Sequence, residues 1–468
     1  MAAKGERVED AGEHRVAAIT DPSARDRVGM REEGRALRER APLDAHGEWS
    51  PGSRDPLAIL KQQATTRVPE LVPLRHTRMA VDSFAFYRGG AAIMAADLAA
   101  TATTGVNVQA CGDAHLLNFG LYASPERRLV FDVNDFDETL PGPWEWDLKR
   151  LAASVVLAGR ALGLSTEQRQ RASDTVTLAY AEHLHELVEL STLDVWYSGI
   201  DAEQIMAALD SKRIRRGADR VFRRARRRTG ERAFQKLTEV RDGHRVIVDQ
   251  PPVVVHVAEL GLPDVLRFML GYAETLPGDR VHLLHQFDLV DAASKVVGVG
   301  SVGTRCLIVV GEGRAELDPL ILQVKEAEAS VLAPYVGDSV YEHQGQRVVE
   351  GQRLMQATSD PFLGWSASPE GHHFFYVRQL RDMKGGVEYE RMTPQDLAVY
   401  SGLCATTLAR AHARSLDPAL LAGYCGKGRK LAAAVTRFAE AYADQAERDH
   451  RMFTAAIAAG AVETMPEE

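Results

Sequence analysis

The sequence predicts an α+β protein that combines a largely helical part with a smaller antiparallel sheet. Amphipathic stretches rich in Ala and Leu, at residues 144–190 and 394–459, are typical of long helices. Between about residues 280 and 385, short apolar runs separated by glycine turns favour antiparallel strands, with one helix among them at 344–356. The length of 468 residues is sufficient for two or three domains.

Four segments follow one another along the chain. Residues 1–54 are rich in Arg, Glu, Asp and Gly without a sustained apolar period, so we expect a mobile tail with one short helix near residues 30–40. Residues 55–240 are expected to form the helical lobe and residues 241–390 the β-rich lobe. The helices of residues 391–468 are expected to pack on the helical lobe.

Composition argues against several classes of protein. The net charge of −9 argues against general nucleic-acid binding. The four cysteines are widely scattered, which argues against a zinc ribbon and against a disulfide scaffold. No apolar run approaches the roughly 20 residues of a membrane span, and the first residues contain no apolar signal core. We therefore expect a cytoplasmic protein without a membrane partner, and the sequence leaves its oligomeric state open.

Residues 109–153 hold the densest set of polar side chains in the chain. The first group is Gly112, Asp113, His115 and Asn118, and the second is Asp132, Asn134, Asp135, Asp137 and Glu138. An apolar strand at residues 129–131 leads into the second group. Oxygen ligands at the end of a buried strand suit Mg²⁺ and phosphate. The alternative is an acidic surface turn that follows a buried strand.

A second motif, G-x-G-x-x-G, consists of Gly298, Gly300 and Gly303, with Ser301 inside it. A dinucleotide-binding turn would need a helix after the motif, but the following sequence, CLIVV, reads as a strand. This contradicts a Rossmann turn. We predict instead a glycine-rich hairpin, because glycine lets backbone N–H groups approach the phosphates of a nucleotide.

The strand after this hairpin carries Lys325 among apolar neighbours. A lysine in that place would pair with the α- and β-phosphates, and Glu350 on the following helix would hold the lysine. The alternatives are a lysine exposed on an edge strand and a solvated glutamate on a helix surface. The succession of hairpin, lysine and helix favours nucleotide binding.

Together the two motifs predict a kinase-like site for phosphoryl transfer, with ATP and Mg²⁺ as cofactors. Asp113 is expected to be the base that faces the acceptor, with His115 beside it in the catalytic set. Asn118 is expected to offer an amide oxygen to the metal. Asp135 is the expected principal metal carboxylate, with Asp132 as its competitor.

Several basic residues have two interpretations. The run from Lys212 to Arg232 would bind an anionic substrate or polymer, or would form a solvated helix face or a mobile arm. Its only aromatic residue is Phe222, which does not support a stacking platform for single-stranded nucleic acid. Arg88 is either a phosphate or carboxylate clamp or a structural arginine, and we expect Arg378 and Lys384 to contact phosphate or an acidic substrate.

The segments GDAHLLNFG, FDVNDFDE and WDLKRLAAS resemble the catalytic and metal loops of aminoglycoside phosphotransferases and other protein-kinase-like enzymes. With FAFYRGG, VGVGSVGTR, LQVKEA and YVRQLRDMKG, they resemble a bacterial family catalogued as domain of unknown function 2252, over roughly residues 31–426. The resemblance implies a two-lobe kinase-like fold. It also implies that Asp113 is the catalytic aspartate, that Asn118 and Asp135 bind the metal, and that Lys325 and the glycine loop bind the nucleotide.

The chain departs from the kinase pattern in two respects. Kinases have the glycine loop and the lysine before the catalytic loop, whereas here Asp113 precedes Gly298. The expected fold is therefore a circularly permuted kinase-like fold, since permutation preserves contacts when the termini are close. Cys111 also stands where the phosphotransferases usually have histidine.

These observations predict an ATP- and Mg²⁺-dependent phosphotransferase with an unknown hydroxyl acceptor, either a small molecule or a protein. Nucleotidyl transfer on the same fold is one alternative, and an inactive nucleotide-binding module is another. A metallophosphoesterase is a third alternative, because GDAH superficially matches its metal-binding dipeptides. That class also needs an earlier D-x-H and a later G-N-H-[DE] motif, and the sequence contains neither.

Overall fold

The computed structural model describes residues 26–241, 244–256, 262–296, 298–314, 318–380 and 383–465. Within these ranges the fold is mixed α+β, as predicted, and neighbouring strands are antiparallel in each sheet. No helix in this part of the chain is long and apolar enough to cross a membrane.

Helices precede the first strand. They are α1 (Arg27–Arg40), α2 (Pro56–Ala64), α3 (Val72–Ala80), α4 (Ser83–Gly89) and α5 (Ala91–Leu98), with 3₁₀ turns at Leu43–Gly47 and Pro69–Leu71. Helices α1, α2 and α4 begin after Asp26, Asp55 and Asp82, whose carboxylates accept backbone N–H groups of the first turn. Such N-caps satisfy donors that have no partner within a helix.

Two small sheets carry the polar loops of residues 109–153. The strands are β1 (Asn107–Ala110), β2 (Phe119–Ala123), β3 (Leu129–Val133), β4 (Leu140–Pro143) and β5 (Ile200–Asp201). Strand β1 pairs with β4, and β3 lies between β2 and β5. All of β3 is buried, which explains its apolar sequence. Asp113 follows β1 and Asp135 follows β3, so both loops are held by buried strands.

The helical part continues with six helices. They are α6 (Trp144–Ala161), α7 (Thr166–Val188), α8 (Thr192–Tyr197), α9 (Ala202–Ala208), α10 (Lys212–Arg226) and α11 (Gly230–Leu237). Almost the whole of α6 is buried. Trp144 of α6 stacks on Tyr180 of α7, with the ring centroids 5.7 Å apart. Helix α6 is therefore the central element of the main core.

A six-stranded antiparallel sheet forms the β-rich part. Its elements and their neighbours are β6 (Thr238–Arg241), β7 (His244–Ile247), β8 (Val254–Val255), α12 (Leu262–Ala273), α13 (Gly278–Leu284), β9 (Asp288–Lys295), β10 (Cys306–Glu312), β11 (Pro319–Glu326), α14 (Ala333–Val336), α15 (Gln344–Met355), β12 (Gly364–Ala367) and β13 (Phe374–Gln379). The strand order is β12-β13-β11-β10-β9-β8, while β6 and β7 form a separate hairpin. The predicted helix at 344–356 and the antiparallel strands around it are confirmed.

Three helices complete the chain: α16 (Pro394–Ala413), α17 (Pro418–Cys425) and α18 (Arg429–Ala458). Helices α16 and α18 pack against both α6 and α7, and α17 packs against α1. Most of their buried apolar residues belong to the same core as those of α6.

Residues 26–54 differ from the mobile tail predicted for residues 1–54. A Cβ atom on Gly34 of α1 would collide with the backbone of Leu420, so α1 and α17 are in backbone contact. Arg38 of α1 also donates to the carbonyl oxygen of Tyr424 at 2.8 Å. The Arg-rich composition concealed this packing, because Gly34 makes the backbone contact and only a few apolar residues, such as Met30 and Leu37, pack against the core. Residues 1–25 lie outside the described residues.

Candidate active site

The loop of residues 111–118 begins with a tight backbone turn. Gly112 has a φ of +79°, a conformation that residues with a Cβ atom rarely adopt. A Cβ atom at this position would also collide with the carbonyl oxygen of Glu138. The glycine therefore lets the loop that carries Asp113 lie directly against the loop that follows β3.

Helix α6 holds this loop through three side chains spaced along one helix face. Asp147 accepts the backbone N–H groups of Cys111 at 2.6 Å and Gly112 at 2.9 Å. Ser154, two turns later, accepts the N–H group of Leu116 at 2.9 Å. Arg150 lies between them and pairs with the Asp113 carboxylate. The backbone and the key carboxylate are thus fixed by the same buried helix.

The Asp113 carboxylate lies in a partly buried position. The Nε atom of Arg150 donates to its Oδ1 atom at 2.6 Å, and the Arg150 guanidinium lies 4.5 Å from the ring centroid of Tyr87. Burial raises the pKa of Asp113 to about 6, although Arg150 opposes this shift. Because this pKa lies near neutrality, Asp113 can accept a proton when it is ionised.

His115 lies beside Asp113, with its Nε2 atom 3.9 Å from Oδ2 of Asp113. Its Nδ1 atom accepts the backbone N–H group of Leu117 at 3.2 Å. Burial, together with Arg88 and Arg150, lowers the pKa of His115 well below its usual value. A neutral imidazole that accepts at Nδ1 carries its proton on Nε2, the atom nearer to Asp113.

Asn118 joins the two polar loops. Its side-chain amide donates to the carbonyl oxygens of Asp113 at 2.9 Å and Asp135 at 3.0 Å. Its Oδ1 atom accepts the N–H group of Asp135 at 2.8 Å. Asn118 therefore positions Asp135 relative to Asp113, and its role as a metal ligand stays a prediction.

Lys325 meets the loop after β3, although 190 residues separate it from Asp135. Its Nζ atom lies 3.3 Å from Oδ1 of Asp135 and forms an ion pair with Asp137. Burial alone would lower the pKa of Lys325, but Asp135 and Asp137 raise it well above its usual value. Burial would raise the pKa of Asp135, but Lys325, Arg378 and Lys384 lower it below its usual range. Both groups are therefore charged.

Two predicted placements need correction. Glu350 pairs with Arg353 at 3.1 Å on its own helix, and the partners of Lys325 are Asp135 and Asp137 instead. Asp132 is buried and pairs with Arg410 at 2.6 Å, so it faces the core and not the cleft. The reason is that β3 is buried along its whole length, whereas Asp135 lies in the loop beyond its last residue.

The glycine motif forms the predicted hairpin turn, between β9 and β10. Gly298, Gly300 and Ser301 reach the site, and the Ser301 hydroxyl donates to Asp137 at 3.3 Å. Gly303 has another role, because its carbonyl oxygen accepts the N–H group of Val68 at 2.8 Å. That contact joins the sheet to the N-terminal helices.

A cavity of about 800 Å³ opens between the turn, the two polar loops and α11. Seven cationic side chains line it, against the two carboxylates of Asp113 and Asp135. The cations are Arg88, Arg224, Arg227, Arg228, Arg232, Lys236 and Lys384. We call it the basic cavity. Part of the Arg-rich run thus lies on a wall of the site, and Arg378 instead donates to Gln323 and to the carbonyl oxygen of Asn134.

A second cavity, of about 660 Å³, adjoins the first. The residues shared by both linings are Arg88, Asp113, Asp135, Gly300 and Ser301. We call it the inner cavity. It extends beneath the glycine turn toward Arg67 and Arg75 on the N-terminal side and toward Glu328 after β11. Two ligands can therefore reach Asp113 from different directions.

Sequence reasoning assigned no role to several residues of the site. Asp147 and Arg150 were recognised only as the start of a helix, and Ser154 was not singled out. Arg347 of α15 was also missed, and its guanidinium donates to the carbonyl oxygens of Thr139 at 2.7 Å and Asp137 at 2.8 Å. The sequence signal that could have identified the residues of α6 is that they are polar residues inside an apolar helix. Buried polar side chains need hydrogen-bond partners.

The residues are compatible with Mg²⁺ bound together with a nucleotide. No group of three or more His, Cys, Asp or Glu residues in the described ranges is arranged to hold a metal ion. Mg²⁺ needs no such cage, since it usually takes one or two carboxylates, phosphate oxygens and water. The Asp135 side chain is 42% exposed, so its carboxylate is accessible to a metal.

The fold and the site define a mixed α+β protein in which carboxylates and a glycine turn line a cleft, and a buried lysine pairs with one of these carboxylates. A family model described as "Uncharacterized protein conserved in bacteria (DUF2252)" matches residues 67–456. The chain belongs to this family, as its sequence motifs predicted. No curated protein and no solved structure matches it.

Proposed function

We propose that the protein is an ATP- and Mg²⁺-dependent phosphotransferase of permuted kinase-like fold that acts on a hydroxyl acceptor. One observation carries the proposal. Lys325 and Asp135 are distant in sequence but lie 3.3 Å apart, and Asp135 lines the basic cavity together with Asp113 and the glycine turn. Phosphoryl transfer uses this combination of lysine, metal carboxylate, base and glycine-rich loop.

The order of elements supports a kinase-like arrangement. The glycine turn, the lysine strand β11 and the helix α15 follow one another, as the corresponding parts do in kinases. In the helical part, the Asp113 loop is followed by the hairpin of β2 and β3 and then by Asp135 and Phe136. A catalytic aspartate, an asparagine and a metal-binding Asp-Phe also occur in this order in kinases. The order of the two halves differs, and Glu350 of α15 pairs with Arg353 instead of with the lysine.

The charge of the basic cavity supports a polyphosphate donor. A nucleotide triphosphate is strongly anionic, and the cationic lining favours its binding. Backbone N–H groups of the glycine turn would approach the phosphates. Mg²⁺, when bound, supplies positive charge to the transferring phosphoryl group. Asp135 would hold this ion, and Lys325 would keep the Asp135 carboxylate ionised.

Asp113 would act as the general base. The acceptor oxygen attacks the γ-phosphorus, the bond between the γ-phosphorus and the bridging oxygen of ADP breaks, and the hydroxyl proton passes to Asp113. Arg150 orients the carboxylate, and Asp147 and Ser154 hold the loop that carries it. A general base contributes about 10²–10⁴-fold to a rate.

The test is to follow ATP labelled at either the α- or the γ-phosphorus in the presence of a deproteinised bacterial extract as the source of acceptors. We expect Mg²⁺-dependent transfer of the γ-label to a new product, and a rate reduced by about 10²–10⁴-fold in Asp113→Asn. Asp210→Asn, at an exposed position outside both cavities, is the matched control. Transfer of the α-label would indicate a nucleotidyltransferase instead, and equal rates in Asp113→Asn and the parent would contradict the proposal.

A further inference from the structure

We propose that the inner cavity is the acceptor site, and that the acceptor carries an anionic phosphate or carboxylate group that is bound by Arg67, Arg75 and Arg88. This inference rests on the proposed function and names the substrate class of that site. The three arginines line the inner cavity, and Arg88 is shared with the basic cavity.

The first step is the burial of these arginines. Arg75 has no exposed surface, and Arg67 is 8% exposed. Burial lowers the pKa of Arg67, Arg75 and Arg88 below the usual value. Placing guanidinium groups out of water costs free energy unless they are paired. A cluster of such groups therefore needs counter-charges.

The second step is the absence of counter-charges at ion-pair distance within the described part of the chain, although Glu138 and Glu328 attract Arg67 and Arg75 from farther away. Arg75 donates from Nη2 to the carbonyl oxygen of Gly89 at 2.8 Å and to Gln63 at 3.2 Å. Its Nε and Nη1 atoms are buried without a hydrogen-bond partner, and so are the Nε atoms of Arg67 and Arg88. None of the described carboxylates forms an ion pair with these three side chains.

The third step is the position of this cluster relative to the reacting groups. The inner cavity that it lines also contains Asp113 and Asp135. A ligand whose anionic group binds the arginines would therefore present its remainder to the base and to the metal carboxylate. Its volume of about 660 Å³ is within the usual range of small-molecule sites.

The fourth step concerns the acceptor chemistry. Arginine binds phosphate and carboxylate through paired N–H groups, so the unpartnered nitrogens match an oxyacid. The acceptor class is therefore a hydroxyl compound with an oxyacid group, such as a sugar phosphate or a sugar acid.

The experiment is isothermal titration of the full chain, saturated with Mg²⁺ and a non-hydrolysable ATP analogue, with three matched probes. The probes are glucose 6-phosphate, gluconate and glucose, which differ in the presence of a phosphate, a carboxylate or neither. We expect at least one anionic probe to bind about tenfold or more tightly than glucose. The better of the two anions identifies the oxyacid.

The test variant is Arg75→Met, and the matched control is Arg414→Met. Arg414 also has a buried Nε atom without a partner, but it lies outside both cavities. We expect Arg75→Met to weaken binding of the anionic probe about tenfold or more. The unfolding midpoint should not fall, because the substitution removes a buried unpaired charge. Arg414→Met should leave the probe affinity unchanged.

Several outcomes would overturn the inference. These are equal binding of all three probes, no binding of either anion, an equal loss in both variants, or competition between the anion and the ATP analogue. A lower unfolding midpoint of Arg75→Met with unchanged anion affinity would assign Arg75 a purely structural role. Failure of the proposed function has a different signature, since the analogue itself would then not bind in a separate titration.

Discussion

At the scale of single residues, Asp113 combines two opposing influences. Partial burial of its side chain, which is 23% exposed, raises its pKa, and pairing with Arg150 lowers the pKa. The result, a pKa of about 6, leaves the group ionised at neutral pH. If Asp113 acts as a base, it would lose this role in moderate acid, because its carboxylate would then be protonated.

We expect the rate of phosphoryl transfer to fall as the pH decreases through about 6, because protonated Asp113 cannot accept the acceptor proton. The sign follows from the role of a base, which is active above its pKa and inactive below it. The measurement is the pH dependence of kcat/KM at saturating Mg²⁺. A rate that stays constant across this range would mean that Asp113 does not act as the base.

Asp132 and Asp135 are three positions apart but should behave in opposite ways. Asp132→Ala leaves the buried Arg410 unpaired, so we expect a loss of about 3–5 kcal/mol in the free energy of unfolding. Asp135→Asn should change stability little and should remove the dependence of nucleotide binding on Mg²⁺. Denaturant unfolding and nucleotide titration of both variants provide the comparison. Loss of the Mg²⁺ effect in a folded Asp132→Ala protein would reverse the assignment.

At the scale of elements, α6 links the main hydrophobic core to the loop that carries Asp113. It fixes the Asp113 loop through Asp147, Arg150 and Ser154, all of which are buried. The glycine turn and β11 supply the other side of the cleft. Small rotations of α6 would therefore change the position of the Asp113 carboxylate.

Ser154→Ala should destabilise the protein by about 1–3 kcal/mol, because the buried N–H group of Leu116 would lose its acceptor. Ser401→Ala is the matched control. Ser401 is also fully buried on a helix, but its hydroxyl has no hydrogen-bond partner among the described residues. We expect the control to be neutral or slightly stabilising in denaturant unfolding. Equal effects of the two substitutions would show that Ser154 does not anchor the loop.

Helix α11 packs against one face of the six-stranded sheet. Phe234 of this helix packs with Ile308, Val310 and Ile321 of the strands. A nucleobase would find this face occupied, so phosphate contacts should provide most of the affinity. We expect ATP and GTP to bind with dissociation constants within about tenfold of each other. A larger preference for one base in competition titrations would show that a base-specific pocket exists.

Several elements could be predicted from the sequence because their signals are local. The helix at 166–190, the glycine hairpin and the helix at 344–356 depend on periodicity, glycine and neighbouring polar residues. The direction of Glu350 could not be predicted, because packing decides which face of α15 is buried. The roles of Asp147 and Arg75 depend on partners that are distant in sequence, and a single sequence does not reveal such pairs.

At the scale of the whole molecule, total charge and local charge differ. The chain has a net charge of −9, yet its basic cavity has seven cationic and two anionic side chains. The lining of the basic cavity is therefore opposite in sign to the net charge, whereas the adjoining inner cavity also contains carboxylates such as Glu138 and Glu328. The overall charge therefore did not indicate the cationic lining of this cavity, on which the proposed binding of a polyphosphate depends.

The proposed permuted order requires two parts of the chain that are distant in sequence to contribute to the same site. Under the proposed function, the Asp113 loop and the Lys325 strand form one nucleotide site, although they are distant in sequence. Binding of ATP should then depend on both halves at once. A ligand that binds only the folded chain raises the free energy of unfolding by about 2.7 kcal/mol at a concentration of roughly 100 times its dissociation constant.

The most direct measurement is the thermal unfolding midpoint with ATP, with Mg²⁺ and with both, for the parent protein, Asp135→Asn and Lys325→Ala. Glu350→Gln is the control, because Glu350 pairs with Arg353 and not with Lys325. We expect a rise in the midpoint that needs both ligands, that is reduced in Asp135→Asn and Lys325→Ala, and that is retained in Glu350→Gln. No rise with any ligand, or an equal rise in all variants, would contradict a single nucleotide site built from the two halves.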